Sequence, residues 1–140
     1  MKVTKEIEFC CAHRLPNYDG PCKNIHGHNY KVQVTFEGEI IEIGGREGMV
    51  MDFKVLKGFM KERIYNPFDH ALVLEKADEN YILFFSGEKQ KLVVMEDPPT
   101  AENMAKFFHD EMQPEMDAYD IKVTNVRVYE TPTSWADSSE

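Results

Sequence analysis

Two strand-like segments joined by a turn-rich loop constrain this chain most. Residues 3–13 and 26–37 each alternate apolar and polar side chains over most of their length. In a β-strand alternate side chains point to one face, so His26 and His28, separated by one glycine, present both imidazoles on the same side. An antiparallel hairpin would bring His13 beside them, because His13 shares the parity of the apolar face of its own strand. The sequence therefore predicts a cluster of three imidazoles.

The imidazole cluster is typical of a zinc site. Three neutral histidines with an open fourth position are an arrangement associated with catalytic zinc, whereas structural zinc is usually closed by four protein ligands. Cys22 lies four residues before His26, and the spacing is also compatible with a closed site in which its sulfur is the fourth ligand. Any one of the histidines alone would be read as a partly buried structural residue. Together they favour Zn²⁺ as the cofactor and leave a zinc enzyme and a non-catalytic metal-binding module as the two hypotheses.

The composition limits the class of protein. The chain has 140 residues, which predicts one domain spanning 1–140. A formal net charge of -9 argues against nucleic acid or an anionic membrane as partner, because both need a basic face. No apolar run has membrane-spanning length, the first residues lack a signal-peptide pattern, and the three cysteines fit reduced thiols. We therefore expect a cytoplasmic protein.

Two amphipathic helices are predicted after the hairpin. The first has Asp52 as N-cap and should end near Tyr65 and Asn66, because Pro67 cannot continue it. The second has Thr100 as N-cap, and Pro114 should bring it to an end. Their apolar residues recur at helical spacing and are best explained as core that covers one face of the sheet.

The segment between these helices and the end of the chain are less regular. Residues 75–91 combine a loop, an apolar run and a turn that no single periodicity explains, and residues 92–95 predict a short strand. Residues 132–140 predict a turn followed by a short edge strand or a frayed tail. This part of the sequence therefore predicts strands at its ends and leaves 75–91 unassigned.

Two further positions carry candidate site residues. Asp69 and His70 follow the first helix in a turn, where an aspartate can orient a histidine ring and raise its basicity for acid or base catalysis, although a packed turn histidine is equally common. Glu130 shares parity with Val126 and Val128 and so lies on the apolar face of a strand. A buried carboxylate needs hydrogen-bond donors, so Glu130 either binds a donor-rich ligand or lies at a strand end near solvent.

The order of these motifs resembles the 6-pyruvoyl-tetrahydropterin synthase and 6-carboxytetrahydropterin synthase family over nearly the whole chain. The matching pieces are Ala12-His13-Arg14, Cys22-x3-His26-Gly27-His28, Met51-Asp52-Phe53, Asp69-His70, Pro99-Thr100-Ala101-Glu102-Asn103 and Tyr129-Glu130-Thr131. Each is weak alone, and their order and spacing together are specific. The resemblance implies an α+β tunnelling fold, an antiparallel sheet with two helices on one face in the order ββααββ. It also implies a homohexamer, a dimer of trimers with active sites at subunit interfaces.

The resemblance further implies a role for each candidate residue. The metal ligands would be His13, His26 and His28, and Cys22 would be the acid/base residue. Asp69 and His70 would form a relay that reaches across a subunit boundary. Glu130 would anchor the pterin ring with help from Thr100 and Glu102. The implied substrate is 7,8-dihydroneopterin 3'-triphosphate. Arg14, Lys23 and Arg127 are candidates for contact with its phosphates.

The spacing of the cysteine and the histidines bears on the product. The short Cys-x3-His spacing resembles the bacterial 6-carboxytetrahydropterin synthase of queuosine biosynthesis, which releases acetaldehyde and triphosphate. The alternative is a 6-pyruvoyl-tetrahydropterin synthase acting on the same substrate, whose members usually have a longer gap. A related group in folate synthesis has a glutamate in place of the cysteine, and Cys22 argues against it.

Overall fold

The computed structural model describes residues 1–139, and its centre is a long antiparallel hairpin. Strands β1 (Lys2–His13) and β2 (His26–Glu37) pair along their whole length, with His13 opposite His26 and Cys11 opposite His28. The alternation holds in three dimensions, since the apolar face of each strand becomes progressively buried and the other face remains polar. The predicted hairpin and its register of histidines are confirmed.

The hairpin is extended on both sides into a six-stranded sheet of order β4-β3-β1-β2-β5-β6. Strands β5 (Lys122–Thr131) and β6 (Ser134–Asp137) continue the antiparallel pairing beyond β2, as predicted. Strands β3 (Leu72–Glu75) and β4 (Leu92–Met95) are added in parallel beyond the end of β1. The short strand at 92–95 was predicted, whereas β3 and the parallel pairing were not. Parallel neighbours need a crossover connection, and the unassigned segment 75–91 supplies it between β3 and β4.

Helix α1 (Phe53–Met60) begins as predicted, with the Asp52 side chain accepting a hydrogen bond from the Lys54 amide at 2.8 Å. The helical conformation does not stop before Pro67, although the sequence predicted that it would. The chain continues through a π-helical segment (Lys61–Tyr65) into a short helix α2 (Asn66–Phe68). The wider π turn changes the hydrogen-bond register, so Pro67 falls in the first turn of α2, where proline is tolerated.

The long helix α4 (Ala101–Asp117) also continues past a proline. Thr100 caps it as predicted, accepting a hydrogen bond from the Asn103 amide at 3.2 Å, but Pro114 lies inside the helix. Its last turn is held from outside: the Gln113 amide group donates to the Ile121 carbonyl at 3.1 Å and accepts from the Val123 amide at 2.8 Å. These contacts with the start of β5 explain why the predicted stop was wrong.

Helices α1 and α4 pack on the apolar face of the sheet and enclose the core. Its largest fully buried side chains are Tyr30, Phe36, Phe68, Phe108, Leu56, Met60, Ile64, Leu74, Met104, Met112 and Met116. A third helix, α3 (Glu79–Gly87), forms in the unassigned segment beside β4 and has no buried residue. Within residues 1–139 no helix combines the length and the apolarity needed to cross a bilayer.

Candidate metal centre and active-site cavity

The three predicted histidines meet where β1 ends and β2 begins. Their ring centroids lie 4.6 Å apart for His13 and His26, and 5.1 Å apart for each of the other two pairs. One potential ligand atom from each ring lies within 4.8 Å of the other two. His13 is buried, with 2 % of its surface exposed, while His26 and His28 are half-buried. The hairpin register therefore brings the imidazoles together without any loop rearrangement.

Backbone carbonyls fix the orientation of two of the rings. His13 Nδ1 lies 2.7 Å from the Pro99 carbonyl oxygen, and His26 Nδ1 lies 2.7 Å from the Asn24 carbonyl oxygen. Because a carbonyl oxygen can only accept, each Nδ1 donates, and each Nε2 is left with its lone pair. The two Nε2 atoms face each other at 3.1 Å. Two lone pairs at this distance repel unless a cation lies between them, so the donor set fits a metal ion.

The protonation state of His13 also fits a metal ligand. Desolvation by burial lowers the pKa of His13 below its ordinary value, although the Pro99 carbonyl and the charge of Glu130 act in the opposite direction. The neutral imidazole is therefore favoured at neutral pH, and the neutral form is the one that coordinates a metal.

His28 and Glu130 complete one wall of the cluster. His28 Nε2 lies 3.5 Å from a carboxylate oxygen of Glu130 and has no hydrogen-bond partner among residues 1–139. Glu130 is half-buried near the end of β5, on the face that its parity with Val126 and Val128 predicts. A carboxylate so close to the imidazoles adds negative charge that favours a bound cation.

Cys22 lies beside the cluster and outside it. Within the described part of the chain, the set of mutually close ligand atoms at this position contains only the three histidines. Cys22 is half-buried in a 3-10 helical turn (Pro21–Lys23), which is tied back by a hydrogen bond from the Leu15 amide to the Cys22 carbonyl at 2.9 Å. The three histidines are therefore open on one side, where His13 borders a neighbouring cavity.

We call this cavity the site cavity. It has a volume of about 270 Å³ and is lined by most of the predicted site residues. Its lining includes His13, Cys22, Thr100, Glu102, Glu130 and two aromatic side chains, Tyr18 and Trp135. Thr100 uses its hydroxyl oxygen to cap α4, and Glu102 is exposed in the first turn of that helix. A thiol, a carboxylate and exposed aromatic rings beside a metal-binding cluster form a site suited to a flat polar heterocycle.

A sequence model of the 6-pyruvoyl tetrahydropterin synthase family matches residues 2–140. The chain belongs to this family. A protein of Haemophilus influenzae named 6-carboxy-5,6,7,8-tetrahydropterin synthase is 32% identical over 142 residues, which cover 99% of both chains. A protein of Pyrococcus horikoshii, named as a putative enzyme of the same activity, is 37% identical over 97% of this chain and 88% of its own length. The chain is therefore a tetrahydropterin synthase family enzyme, of the lyase class.

Solved structures of the family show the same fold. The 6-pyruvoyl tetrahydropterin synthase of Caenorhabditis elegans superposes with a TM-score of 0.71 at 25% identity, over 100% of this chain and 95% of that one. The 6-pyruvoyl tetrahydropterin synthase of Plasmodium falciparum superposes with a TM-score of 0.71 at 20% identity, over 98% of this chain and 95% of that one. The resemblance and the tunnelling fold predicted from the sequence are confirmed, with the parallel strands β3 and β4 as an addition to the predicted antiparallel sheet.

Asp69 and His70 lie apart from Cys22. They occupy the turn between α2 and β3, and His70 lines a second cavity together with Cys10 and Asn29, which belong to the polar face of the hairpin. His70 is exposed and has a left-handed backbone, with φ of 61°. A single chain thus does not bring the predicted relay into the site cavity.

Asp69 is nevertheless positioned as a partner of His70. One of its oxygens lies 2.8 Å from His70 Nδ1, and the other accepts from the Cys10 amide at 3.3 Å. Partial desolvation acts to raise the pKa of Asp69, but the hydrogen bonds from His70, the Cys10 amide and Tyr65 together lower it below its usual value. Asp69 is therefore held as a carboxylate that orients the imidazole.

Both arginines predicted to contact the phosphates are paired with carboxylates of this chain. Arg14 Nε lies 2.8 Å from a carboxylate oxygen of Asp78, and its guanidinium carbon lies 3.7 Å from the centre of the Tyr81 ring. Arg127 forms two hydrogen bonds with Asp137, at 2.7 and 2.8 Å. Lys23 is exposed beside Cys22 and forms no ion pair within residues 1–139.

Several residues of the site were missed by the sequence analysis. The carbonyls of Pro99 and Asn24 orient the histidines, yet a backbone carbonyl leaves no signal in residue type. The Tyr30 hydroxyl lies 3.3 Å from His13 Nδ1, and its place on the same strand face as His28 could have indicated it. Trp135 reaches the site cavity from β6, a strand that the sequence indicated without a side-chain direction.

Proposed function

We propose that this chain is a zinc-dependent 6-carboxy-5,6,7,8-tetrahydropterin synthase. It would convert 7,8-dihydroneopterin 3'-triphosphate to 6-carboxytetrahydropterin with release of acetaldehyde and triphosphate, a reaction that serves queuosine biosynthesis. The observation that carries the proposal is that the Nε2 atoms of His13 and His26 face each other at 3.1 Å, beside a cavity lined by Cys22 and Glu130. The names of the relatives, 30% to 37% identical to this chain, favour the carboxy product.

The three histidines would hold the zinc ion. Bound there, zinc would supply Lewis-acid stabilisation of the negative charge that develops on the side chain of the substrate as a carbon-bound proton leaves. The carbonyls of Pro99 and Asn24 keep His13 and His26 in the tautomer with Nε2 available, so the ligand geometry is preorganised.

Cys22 would be the acid/base residue at the substrate side chain. Its thiol lines the same cavity as His13, so a substrate in this cavity lies against both. A general base must reach the proton that it abstracts, and Cys22 contributes the only thiol among the residues that line this cavity.

Glu130 would anchor the pterin ring. A half-buried carboxylate is stabilised by donors, and the 2-amino group and ring N–H of a pterin present two donors side by side. Thr100 and Glu102 line the same cavity and would assist this binding. Tyr18 and Trp135 provide aromatic surface for the faces of the ring.

Asp69 and His70 would reach the site cavity of a neighbouring subunit. Strand β1 pairs with β3 only at Ala12 and His13, so most of its outer edge is open, and β6 forms the opposite edge of the sheet. Open antiparallel edges are suited to pairing between subunits. We therefore propose a homohexamer, a dimer of trimers, in which His70 shuttles protons in the site of the adjacent chain.

The product test is incubation of the zinc-loaded protein with 7,8-dihydroneopterin triphosphate, followed by mass spectrometry. The expected products are 6-carboxytetrahydropterin and acetaldehyde. A 6-pyruvoyl product would assign the chain to the other activity of the family. Consumption of no substrate would contradict the enzyme assignment and leave a non-catalytic pterin- or zinc-binding module.

Replacement of Cys22 by Ala tests the role of the thiol. We expect Cys22→Ala to retain its zinc and to lose turnover by roughly 10²-fold or more, because the variant keeps the imidazole ligands and lacks the acid/base group. Zinc content and initial rates are the measurements, and Cys11→Ala is the matched control, since Cys11 is a buried thiol outside the cavity. Loss of zinc from Cys22→Ala would instead indicate a site closed by sulfur.

A further inference from the structure

A second group of metal-binding side chains lies in the cavity on the polar face of the hairpin. Cys10, Asp69 and His70 each present one potential ligand atom, and these atoms lie within 4.8 Å of one another. Cys10 Sγ lies 3.9 Å from His70 Nδ1, which in turn lies 2.8 Å from a carboxylate oxygen of Asp69. None of these atoms belongs to the three-histidine cluster.

The backbone holds this group in place. The His70 amide donates to the Cys10 carbonyl at 2.7 Å, and the Cys10 amide donates to Asp69 at 3.3 Å, so the turn and β1 are tied from both sides. Lys91 Nζ donates to the carbonyl of Asp69 at 2.7 Å and to that of Asn66 at 2.6 Å. These bonds stabilise the left-handed backbone of His70, a conformation that non-glycine residues adopt rarely.

The distances suit a small cation of the zinc class. Zinc bond lengths of about 2.3 Å to sulfur and about 2.0–2.1 Å to nitrogen or oxygen imply ligand separations of about 3.3–3.6 Å in a tetrahedron. The observed 2.8 and 3.9 Å lie on either side of that range, so movements of a few tenths of an ångström, chiefly in the exposed His70 side chain, would be sufficient. A sulfur, nitrogen and oxygen donor set favours Zn²⁺, Co²⁺ or Cd²⁺ over Mg²⁺ and Ca²⁺.

We propose that Cys10, Asp69 and His70 form a second divalent-metal site, distinct from the three-histidine cluster and selective for Zn²⁺-class ions. On binding, the Cys10 thiol releases its proton to solvent, the single N–H proton of the neutral His70 ring moves from Nδ1 to Nε2, and water completes the coordination. A metal at this position withdraws His70 from proton transfer, so excess zinc inhibits turnover. This inhibitory consequence rests on the proposed function, whereas the metal site itself does not.

Cys10 is the residue to test, because it has no role in the proposed chemistry. Its neighbour Cys11 is a matched control: it follows directly in the chain but points into the core, with 5% of its surface exposed. Desolvation by burial, with contributions from the charges of Cys10 and Asp69, raises the pKa of Cys11 to about 12, so it does not compete for metal at neutral pH.

The experiment is a titration of the metal-free full-length protein with Co²⁺. Its readouts are bound cobalt per chain and the near-ultraviolet thiolate-to-cobalt charge-transfer band. We expect two cobalt ions per chain and a thiolate band in the unmodified protein, in Cys11→Ala and in Cys22→Ala. Cys10→Ser should bind one cobalt ion and lose the band. The proposal is overturned if the unmodified protein binds only one ion, or if the band persists in Cys10→Ser and vanishes in Cys22→Ala.

Turnover at rising zinc concentration tests the inhibitory consequence. Excess zinc over one equivalent per chain should lower the rate of the unmodified protein by tenfold or more and leave Cys10→Ser within twofold of its own rate. Equal inhibition of both proteins would overturn the regulatory role. Absence of turnover at every zinc level would reject the proposed function, and the cobalt stoichiometry would then decide the second site alone.

Discussion

At the scale of single residues, the chemistry of His13 depends on where its ring is held. The residue lies at the end of β1, buried, with Nδ1 bound to a carbonyl 86 positions away in the chain and Nε2 facing His26. Burial keeps the imidazole neutral, and the carbonyl selects the tautomer. The proposed role of His13 as a metal ligand therefore depends on two distant parts of the chain, which act on its two nitrogens separately.

Glu130→Gln tests the pterin anchor at this scale. The amide keeps one acceptor oxygen but replaces the other with an NH₂ group that carries two donors, so it opposes the donor edge of the pterin. A hydrogen bond to a charged group contributes about 1.5–3 kcal/mol, which predicts a KM increase of roughly 10- to 100-fold with zinc content unchanged. Steady-state kinetics and metal analysis are the measurements. An unchanged KM would exclude Glu130 from substrate binding.

The lowered pKa of Asp69 predicts that the folded protein loses stability at acid pH. Its folded-state pKa is lowered, so the carboxylate contributes stability above its unfolded pKa of about 4, and this contribution is lost as pH falls through the folded value. The melting temperature of the unmodified chain should therefore fall more between about pH 6 and about pH 3 than that of Asp69→Asn. Parallel melting curves in the two proteins would contradict the assigned hydrogen bonds.

At the scale of elements, the close approach of the two hairpin backbones fixes the positions of the three-histidine cluster. Gly27 separates His26 from His28, and a Cβ at this position would lie 3.1 Å from the Cys11 carbonyl oxygen of the facing strand. The glycine therefore lets β1 and β2 approach at the level where His13 and His26 are paired. Its role is to bring two strands close, since neither histidine could meet its partner across a wider gap.

Gly27→Val tests this close approach. The larger side chain would push the strands apart, so we expect a destabilisation of about 1–3 kcal/mol and a zinc affinity lower by roughly 10-fold or more. Thermal unfolding and competitive zinc titration are the measurements. Asn29→Val, two residues further along the same exposed face, is the control and should change neither quantity greatly. Equal zinc affinity in both variants would show that the approach is not required.

At the scale of the whole molecule, one chain does not contain a complete set of proposed catalytic residues in one cavity. Cys22 lines the site cavity, while His70 lies in a cavity on the polar face of the hairpin. In the proposed assembly, pairing at the open edge of β1 would let a second chain bring its own His70 to the cysteine. Assembly would then be a condition of catalysis rather than a consequence of folding.

Mixing two inactive variants tests that condition. Cys22→Ala and His70→Ala should each be inactive as the sole chain, and unfolding and refolding them together should restore activity in roughly a quarter of the sites. Native mass spectrometry should show a species of six times the 16.3 kDa chain. No restored activity in a confirmed mixed hexamer would place both residues of a working site on one chain.

Much of the fold could be predicted because the order of apolar and polar residues in the sequence shows the period of each strand and helix. The parity of Val126, Val128 and Glu130 and the capping residues Asp52 and Thr100 were predicted and are confirmed. The predicted stops at Pro67 and Pro114 were wrong, because a π-helical segment carries the chain past Pro67 and side-chain bonds from Gln113 tie the end of α4 to the segment that begins β5. Helix α3 was missed because it buries no residue and so leaves no periodic core pattern.

The sequence by itself determined which side chains can share a face: strand period places His13, His26 and His28 together, and turn residues set the hairpin that joins them. Only the tertiary structure decided the orientation of those rings, the separation of His70 from Cys22, and the meeting of Cys10 with Asp69 and His70. The reason is physical. Periodicity is a local property of a backbone, whereas carbonyl contacts and cavities arise between segments whose distance in space no local pattern encodes.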